Sequence, residues 1–189
     1  MKSRILLLLL IGLCFAGIRP AAAEAESQPS SVLGAGVGTY MSILAVREGC
    51  VAIYPQSVLA WEQAYTGIMR DRGTILKTME RVWTATFGQV YPLPEMRAEV
   101  TGAIWRAYQD RLNERQLAWL CVAPEQFLSS FSKLLDPLAY QIQRWERGGD
   151  YDRVAQDMRR TLAKMSEEEK KVLRADVRAN LIASMSPGG

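Results

Sequence analysis

The sequence contains no histidine among its 189 residues, and this absence removes several classes of chemistry. Ser-His-Asp and Cys-His hydrolysis both need an imidazole base, and histidine is also the commonest metal ligand. A zinc site built without histidine needs four cysteines, whereas this chain has three. We therefore expect neither a metal site nor a cofactor. The remaining catalytic options are a carboxylate, or a serine or threonine with a lysine.

The apolar run near the N-terminus is too short to span a membrane. It covers residues 5–18 before Arg19 and Pro20 interrupt it, whereas a transmembrane helix needs roughly 20 apolar residues. Basic residues precede the run and small residues follow it, which is the order of a secretory signal peptide. We predict that residues 1–23 are cleaved after Ala23. The mature protein then has no integral membrane anchor and is periplasmic or secreted.

An excess of charge of one sign is missing from the predicted mature chain. Of the 23 basic residues, cleavage removes Lys2, Arg4 and Arg19, which leaves 20 to balance the 20 acidic residues. A surface without a net field does not attract phosphate groups, so nucleic acid and anionic lipid are poor partners. We expect no nucleic-acid binding.

Cysteine is scarce, and its use follows from export. A lipidated Cys14 would need a small residue directly before it, whereas Leu13 occupies that position, so we expect Cys14 to leave with the signal peptide. Cys50 and Cys121 then remain in an oxidising compartment, where an even pair forms a disulfide. The two are too far apart in sequence for a Cys-x-x-Cys redox centre. We predict a structural bridge that closes a loop of about 70 residues.

Helical periodicity dominates the rest of the chain. Residues 24–38 are polar and then rich in small residues, without a helical stripe, which predicts a flexible, extended N-terminal arm. Over residues 39–185 apolar residues recur at steps of three and four, and no stretch alternates with a period of two. We predict one all-α domain, an irregular bundle of about six to eight helices, with a tail at 186–189. Residues 57–88 fit either one helix or two.

Two pairs of residues predict where helices begin. Asn113 with Gln116, and Ser166 with Glu169, have the spacing of capping boxes, in which each side chain accepts a hydrogen bond from the other residue's backbone N–H. We expect one helix to start after each pair.

One tetrapeptide is similar to a motif of a known enzyme family. Residues 67–70, Gly-Ile-Met-Arg, resemble the Gly-Leu-Met-Gln of lytic transglycosylases, exported helical enzymes in which one glutamate protonates the glycosidic oxygen. Two of the four positions are identical. The upstream candidate Glu48 is followed by Gly49, where the family has serine, and we carry over no catalytic role. A cell-wall glycan-cleaving enzyme with a lone glutamate is the second alternative function.

The candidate contact residues are tryptophans with neighbouring arginines. Trp and Arg are favoured in protein interfaces, and the sequence has two such groups, which comprise Trp105, Arg106, Arg144, Trp145 and Arg147. The leading hypothesis is a non-enzymatic bacterial envelope protein that acts on another envelope protein as an accessory, adaptor or inhibitor-like factor. A carrier of an apolar small ligand between the helices is the first alternative, since bundles readily leave cavities.

Overall fold

A computed structural model describes residues 29–148 and 150–185, and these ranges contain helices and no strand. The all-α prediction is confirmed. The elements are α1 (Pro29–Ile53), a 3-10 helix (Pro55–Ser57), α2 (Val58–Thr86), α3 (Leu93–Arg111), α4 (Glu114–Val122), α5 (Pro124–Gly148), α6 (Asp150–Ala163) and α7 (Glu167–Met185). Among them, no helix combines the length and apolarity that a membrane crossing needs. The predicted signal peptide and C-terminal tail lie outside the described residues.

Helix α1 forms the centre of the bundle. Every residue from Met41 to Val46 is buried, so this part of the helix is enclosed on all its faces. A helix without a polar face is stable only when other elements cover it. Helices α2, α3, α4, α5 and α7 all contact α1, and this packing places its C-terminal Cys50 in the interior.

The predicted N-terminal arm is wrong for residues 29–38, which belong to α1. Its glycines Gly34, Gly36 and Gly38 are buried within the helix. Glycine disfavours an exposed helix by about 1 kcal/mol, but tertiary packing overrides that cost here. A Cβ at Gly36 would overlap the thioether of Met79 on α2. The small residues therefore allow close helix packing. Residues 24–28 lie outside the described residues.

Helix α2 runs without a break from Val58 to Thr86, which decides between the two alternatives for residues 57–88. Gly73 is buried inside this helix. Near the end of α2, the Trp83 indole Nε1 donates a hydrogen bond to the carbonyl oxygen of Tyr91, which lies in the turn after the helix, at 3.0 Å. The Trp83 ring also stacks on Phe87, with 4.8 Å between ring centroids. These contacts hold the turn that leads into α3.

Both predicted capping boxes are present. The Asn113 side chain accepts a hydrogen bond from the Gln116 backbone N–H at 2.9 Å, and the Gln116 side chain accepts one from the Asn113 N–H at 3.0 Å. At the start of α7, Ser166 N–H donates to a Glu169 carboxylate oxygen at 2.9 Å, and Glu169 N–H donates to the Ser166 hydroxyl at 3.3 Å. The caps fix where α4 and α7 begin, as local sequence rules require.

Helix α7 is attached to α3 by a polar network. Arg174 lies within 2.9 Å of a Glu95 carboxylate oxygen and within 2.5 Å of a Glu99 one. The Tyr91 hydroxyl donates to the other Glu99 oxygen at 3.0 Å, and the Arg174 guanidinium lies 4.8 Å from the centre of the Tyr91 ring. Glu99 therefore joins the turn before α3 to the last helix.

Candidate interaction surface at the disulfide

Cys50 and Cys121 form a disulfide, as predicted. Their Cα atoms are 5.1 Å apart although the residues are separated by 71 positions in sequence. Both cysteines are fully buried. The bridge joins the C-terminal turn of α1 to the C-terminal turn of α4, so the central helix and the short helix α4 are held together at one end of the bundle.

Trp61 adds a third element to this end. Its side chain is fully buried, and its indole Nε1 donates a hydrogen bond to the Cys121 carbonyl oxygen at 3.0 Å. Its ring meets Phe127 of α5 edge-on, with 6.0 Å between centroids. Phe127 in turn packs on Phe131 and Tyr108. Trp61 thereby fixes the start of α2 against the disulfide and the first turns of α5.

Large apolar side chains are exposed around this buried centre. Each lies within three residues in sequence of Cys50, Trp61 or Cys121, and the bridge and the indole hydrogen bond bring those three residues together. We call this group the disulfide-end surface; its members and exposed fractions are Ile53 43%, Val58 39%, Leu59 68%, Trp119 53% and Val122 58%. The other exposed large apolar residues of the described chain are Tyr140 and Val172.

The disulfide-end surface comprises five of the seven large apolar side chains that are exposed in the described part of the chain. Exposed Leu59 and Trp119 contribute most to its exposed area, since they combine large side chains with high exposed fractions. The surface is also supported from beneath by covalent and hydrogen-bonded contacts.

Helix α4 presents a distinct face within this surface. Arg115, Trp119 and Val122 are spaced by four and three residues, so they share one side of the helix, and all three are exposed. Leu117, Leu120 and Cys121 are buried on the other side. The exposed Glu125 follows in the first turn of α5. Trp119 and Val122 thus form an apolar strip on α4, with Arg115 one turn before it on the same side.

Of the sequence-predicted contact residues, Trp105, Arg106 and Arg147 are not members of the disulfide-end surface. Trp105 is half-buried on α3, and a Cβ at Gly49 would overlap its indole ring, so Trp105 packs against the central helix. Arg106 beside it is exposed, and Arg147 is exposed near the end of α5. The side chains of Arg144 and Trp145 lie outside the described part of the structure. Contact at these residues stays a prediction.

Sequence reasoning missed Trp119 as a contact residue, although a local signal for it exists. The buried residues Leu117, Leu120 and Cys121 define the inner face of α4. Trp119 falls between them in sequence and hence on another face of a helix with 3.6 residues per turn. Trp61 and Trp83, in contrast, occupy the buried face of α2. The helical periodicity could therefore have predicted that Trp119 is exposed, because it lies outside the apolar face of α4.

Glu48, the carboxylate named by the enzyme alternative, and Glu99 of the polar network are both engaged in ion pairs. Glu48 pairs with Arg97, and Glu99 pairs with Arg174. The hydrogen bond from Arg174 is the main reason that the pKa of Glu99 is lowered; desolvation opposes it, and the hydrogen bond from Tyr91 lowers the pKa further. A general acid needs the opposite shift. Ile68, from the tetrapeptide at 67–70, is buried in the core.

In the described residues, no group of three or more cysteine, aspartate or glutamate side chains is arranged to hold a metal ion. No protein-family model, curated protein or solved structure matches the chain. What the protein does is therefore inferred from its own residues.

Proposed function

We propose that this is an exported bacterial envelope protein that acts without catalysis, through protein–protein contacts, as an accessory, adaptor or inhibitor-like factor. The observation that carries this proposal is the disulfide-end surface, whose five large apolar side chains are exposed close in sequence to the buried Cys50, Trp61 and Cys121. Exposed apolar area is unfavourable in water, and a partner that covers it removes that cost. We assign the contact to this surface.

The support beneath the surface favours binding. The Cys50–Cys121 bridge and the Trp61 hydrogen bond fix the ends of α1, α2 and α4 relative to one another. A surface that is already ordered loses little conformational entropy when a partner binds, so more of the contact energy appears as affinity. Trp119 is the expected anchor because tryptophan is enriched among the residues that contribute most to interface affinity.

The charge balance favours a protein partner over an anionic one. Once the predicted signal peptide is removed, 20 basic residues balance 20 acidic ones, so no long-range field draws the protein to phosphate surfaces. Arg47 of α1 also pairs with Glu62 of α2, which lies three residues after Leu59 in sequence. The apolar contact and local ion pairs, not net charge, then determine which partner binds.

Site-specific photo-crosslinking in the native organism tests this proposal. A photoreactive side chain at Leu59 should capture a discrete protein band, whereas the same group at exposed Gln156 of α6 should not. The Trp119→Ser substitution should abolish capture from Leu59. Equal capture from both positions, or crosslinks to phospholipid alone, would contradict a specific protein contact at this surface.

A further inference from the structure

The burial of the Cys50–Cys121 bridge bears on how the bridge is made. We propose that this chain is a substrate of a protein thiol–disulfide oxidoreductase, which oxidises the two cysteines before α1 and α4 have packed. The finished bundle is closed to thiol–disulfide exchange in both directions. This inference uses the predicted export, which places the chain in an oxidising compartment, and it is independent of the partner contact proposed above.

Both sulfur atoms are enclosed by the packed helices. Cys50 and Cys121 each have an exposed fraction of 0%. Exchange requires a thiolate to reach a sulfur atom and proceeds through a mixed disulfide, so its rate depends on access. An attacking thiol or disulfide is larger than a water molecule and cannot reach a sulfur that water does not reach. Exchange at either cysteine therefore requires the helices to separate first.

The order of the helices along the chain provides an interval in which both cysteines are accessible. Helix α1, which carries Cys50, is contacted by α5 and α7, and both of these helices follow Cys121 in sequence. A chain that emerges with its N-terminal end first therefore presents both cysteines before the packing around α1 can be completed. Oxidation during this interval meets no steric barrier.

The interval is short, which favours a catalysed reaction. Small domains fold with rate constants of about 1 to 10⁵ per second, and helical bundles are among the faster ones because their contacts are mostly local. Disulfide formation takes seconds to hours, depending on the oxidant and on catalysis. A slow small-molecule oxidant would meet the bundle after the sulfurs are enclosed. A protein that donates its own disulfide rapidly is therefore the expected oxidant.

Two exchange steps account for the electrons and protons. The thiolate of Cys50, which emerges first, attacks one sulfur of the donor's disulfide, so that a mixed disulfide forms and the other donor sulfur leaves as a thiolate. The thiolate of Cys121 then attacks the Cys50 sulfur, which forms the bridge and releases the second donor thiolate. The chain loses two electrons and two protons, and the donor gains them and becomes a dithiol.

Reduction of the bridged protein tests the enclosure. Dithiothreitol should reduce the Cys50–Cys121 bridge at least about 100-fold more slowly in buffer than in concentrated urea, because exchange in buffer requires prior opening of the helices. The control is an exposed thiol, made by Gln156→Cys in a chain with Cys50→Ala and Cys121→Ala, since Gln156 is exposed on α6. It should react with oxidised glutathione at similar rates in both solvents. Similar rates of bridge reduction in both solvents would overturn the proposal.

Oxidation of the refolded dithiol tests the order of events. The chain is reduced in urea and returned to buffer without oxidant, and circular dichroism measures its helix content. Oxidised glutathione should form the bridge at least about 100-fold more slowly in the folded dithiol than in urea. A dithiol that stays unfolded supports the same order, because packing then requires the bridge. Rapid oxidation of a folded dithiol would contradict it.

Trapping in the native organism tests the donor. Cys121→Ala keeps the attacking thiol of Cys50 and removes the thiol that resolves the mixed disulfide. Acid-quenched samples should contain the chain linked through Cys50 to a protein with its own reactive cysteine pair, and reductant should release both. The variant that lacks both cysteines should give no such species. If no adduct forms, or glutathione is the only one, the donor is not a protein and the inference fails.

Discussion

The indole Nε1 of Trp61 donates a hydrogen bond to the carbonyl oxygen of Cys121 at 3.0 Å, and both residues are buried. A buried carbonyl without a donor loses its bond to water and receives nothing in return, which costs about 1–3 kcal/mol. The bond therefore makes the disulfide end depend on one side chain of α2, 60 residues away in sequence.

Replacing this donor should destabilise the fold. Trp61→Phe keeps an aromatic ring but removes the Nε1 donor, so we expect the free energy of unfolding to fall by about 2 kcal/mol, the cost of an unsatisfied buried carbonyl plus partial loss of packing. Urea denaturation measures the change. Trp119→Phe on the exposed face of α4 serves as the control and should alter stability by less than about 0.5 kcal/mol.

Removing the disulfide should lower the free energy of unfolding by more than Trp61→Phe does. The bridge closes a loop of 71 positions, for which the chain-entropy model gives about 4 kcal/mol as an upper figure. Cys50→Ala with Cys121→Ala should therefore lower the free energy of unfolding by about 2–4 kcal/mol in urea titrations. The exported protein should also resist alkylation at both positions until it is unfolded and reduced. Full alkylation of the untreated protein would contradict the bridge in the cell.

Two glycines of the bundle should respond oppositely to alanine. A Cβ at Gly49 would overlap the Trp105 indole, so Gly49→Ala must displace a large side chain and should destabilise by about 1–3 kcal/mol. At Gly102 on α3 a Cβ meets nothing within 4 Å, and alanine there should stabilise the helix by about 0.5–1 kcal/mol. Thermal denaturation of both variants distinguishes a packing role from simple helix propensity.

Stability should fall in acid through Glu99. Its hydrogen bond from Arg174 lowers its pKa below the ordinary value of 4.5, so the folded protein holds this carboxylate ionised when the unfolded chain begins to protonate it. The resulting stabilisation is present above the unfolded pKa and is lost as the pH falls through the lower folded pKa.

A matched pair of variants isolates this contribution. Glu99→Gln should flatten the decline of unfolding free energy between about pH 5 and pH 3. Glu168→Gln should leave the profile nearly unchanged, because Glu168 is 79% exposed and its pairing with Lys171 is long, at 3.6 Å, and such surface pairs contribute little. Identical profiles for both variants would show that the Glu99 network does not stabilise the fold.

Export should yield a defined N-terminus. Cleavage after Ala23 leaves a chain that begins at Glu24 and lacks Cys14. Intact-mass measurement of the protein from the periplasm or medium tests this, and the mass should also be two units lower than that of the reduced chain because of the disulfide. A retained leader, or a mass that includes a lipid on Cys14, would contradict the prediction.

Local sequence rules predicted the elements whose signals are themselves local. The Asn113–Gln116 and Ser166–Glu169 caps were predicted because a capping box involves residues three positions apart. The helical assignment of residues 29–38 was missed, because glycine propensity argues for a flexible segment. Its buried glycines pack closely against another element, as at Gly36 beside Met79, and no local window contains that contact.

The candidate site also has a part that the sequence predicts and a part that only tertiary packing decides. The count of cysteines, together with the predicted loss of Cys14 in the signal peptide, predicted the Cys50–Cys121 pairing, and the absence of histidine excluded histidine-based chemistry. Whether a given tryptophan is buried depends on the helices that pack over it. Trp61 is enclosed because α4 and α5 pack over it, whereas Trp119 stays 53% exposed in the described chain. Composition and spacing decide which bonds are available, and tertiary packing decides which side chains remain in contact with solvent.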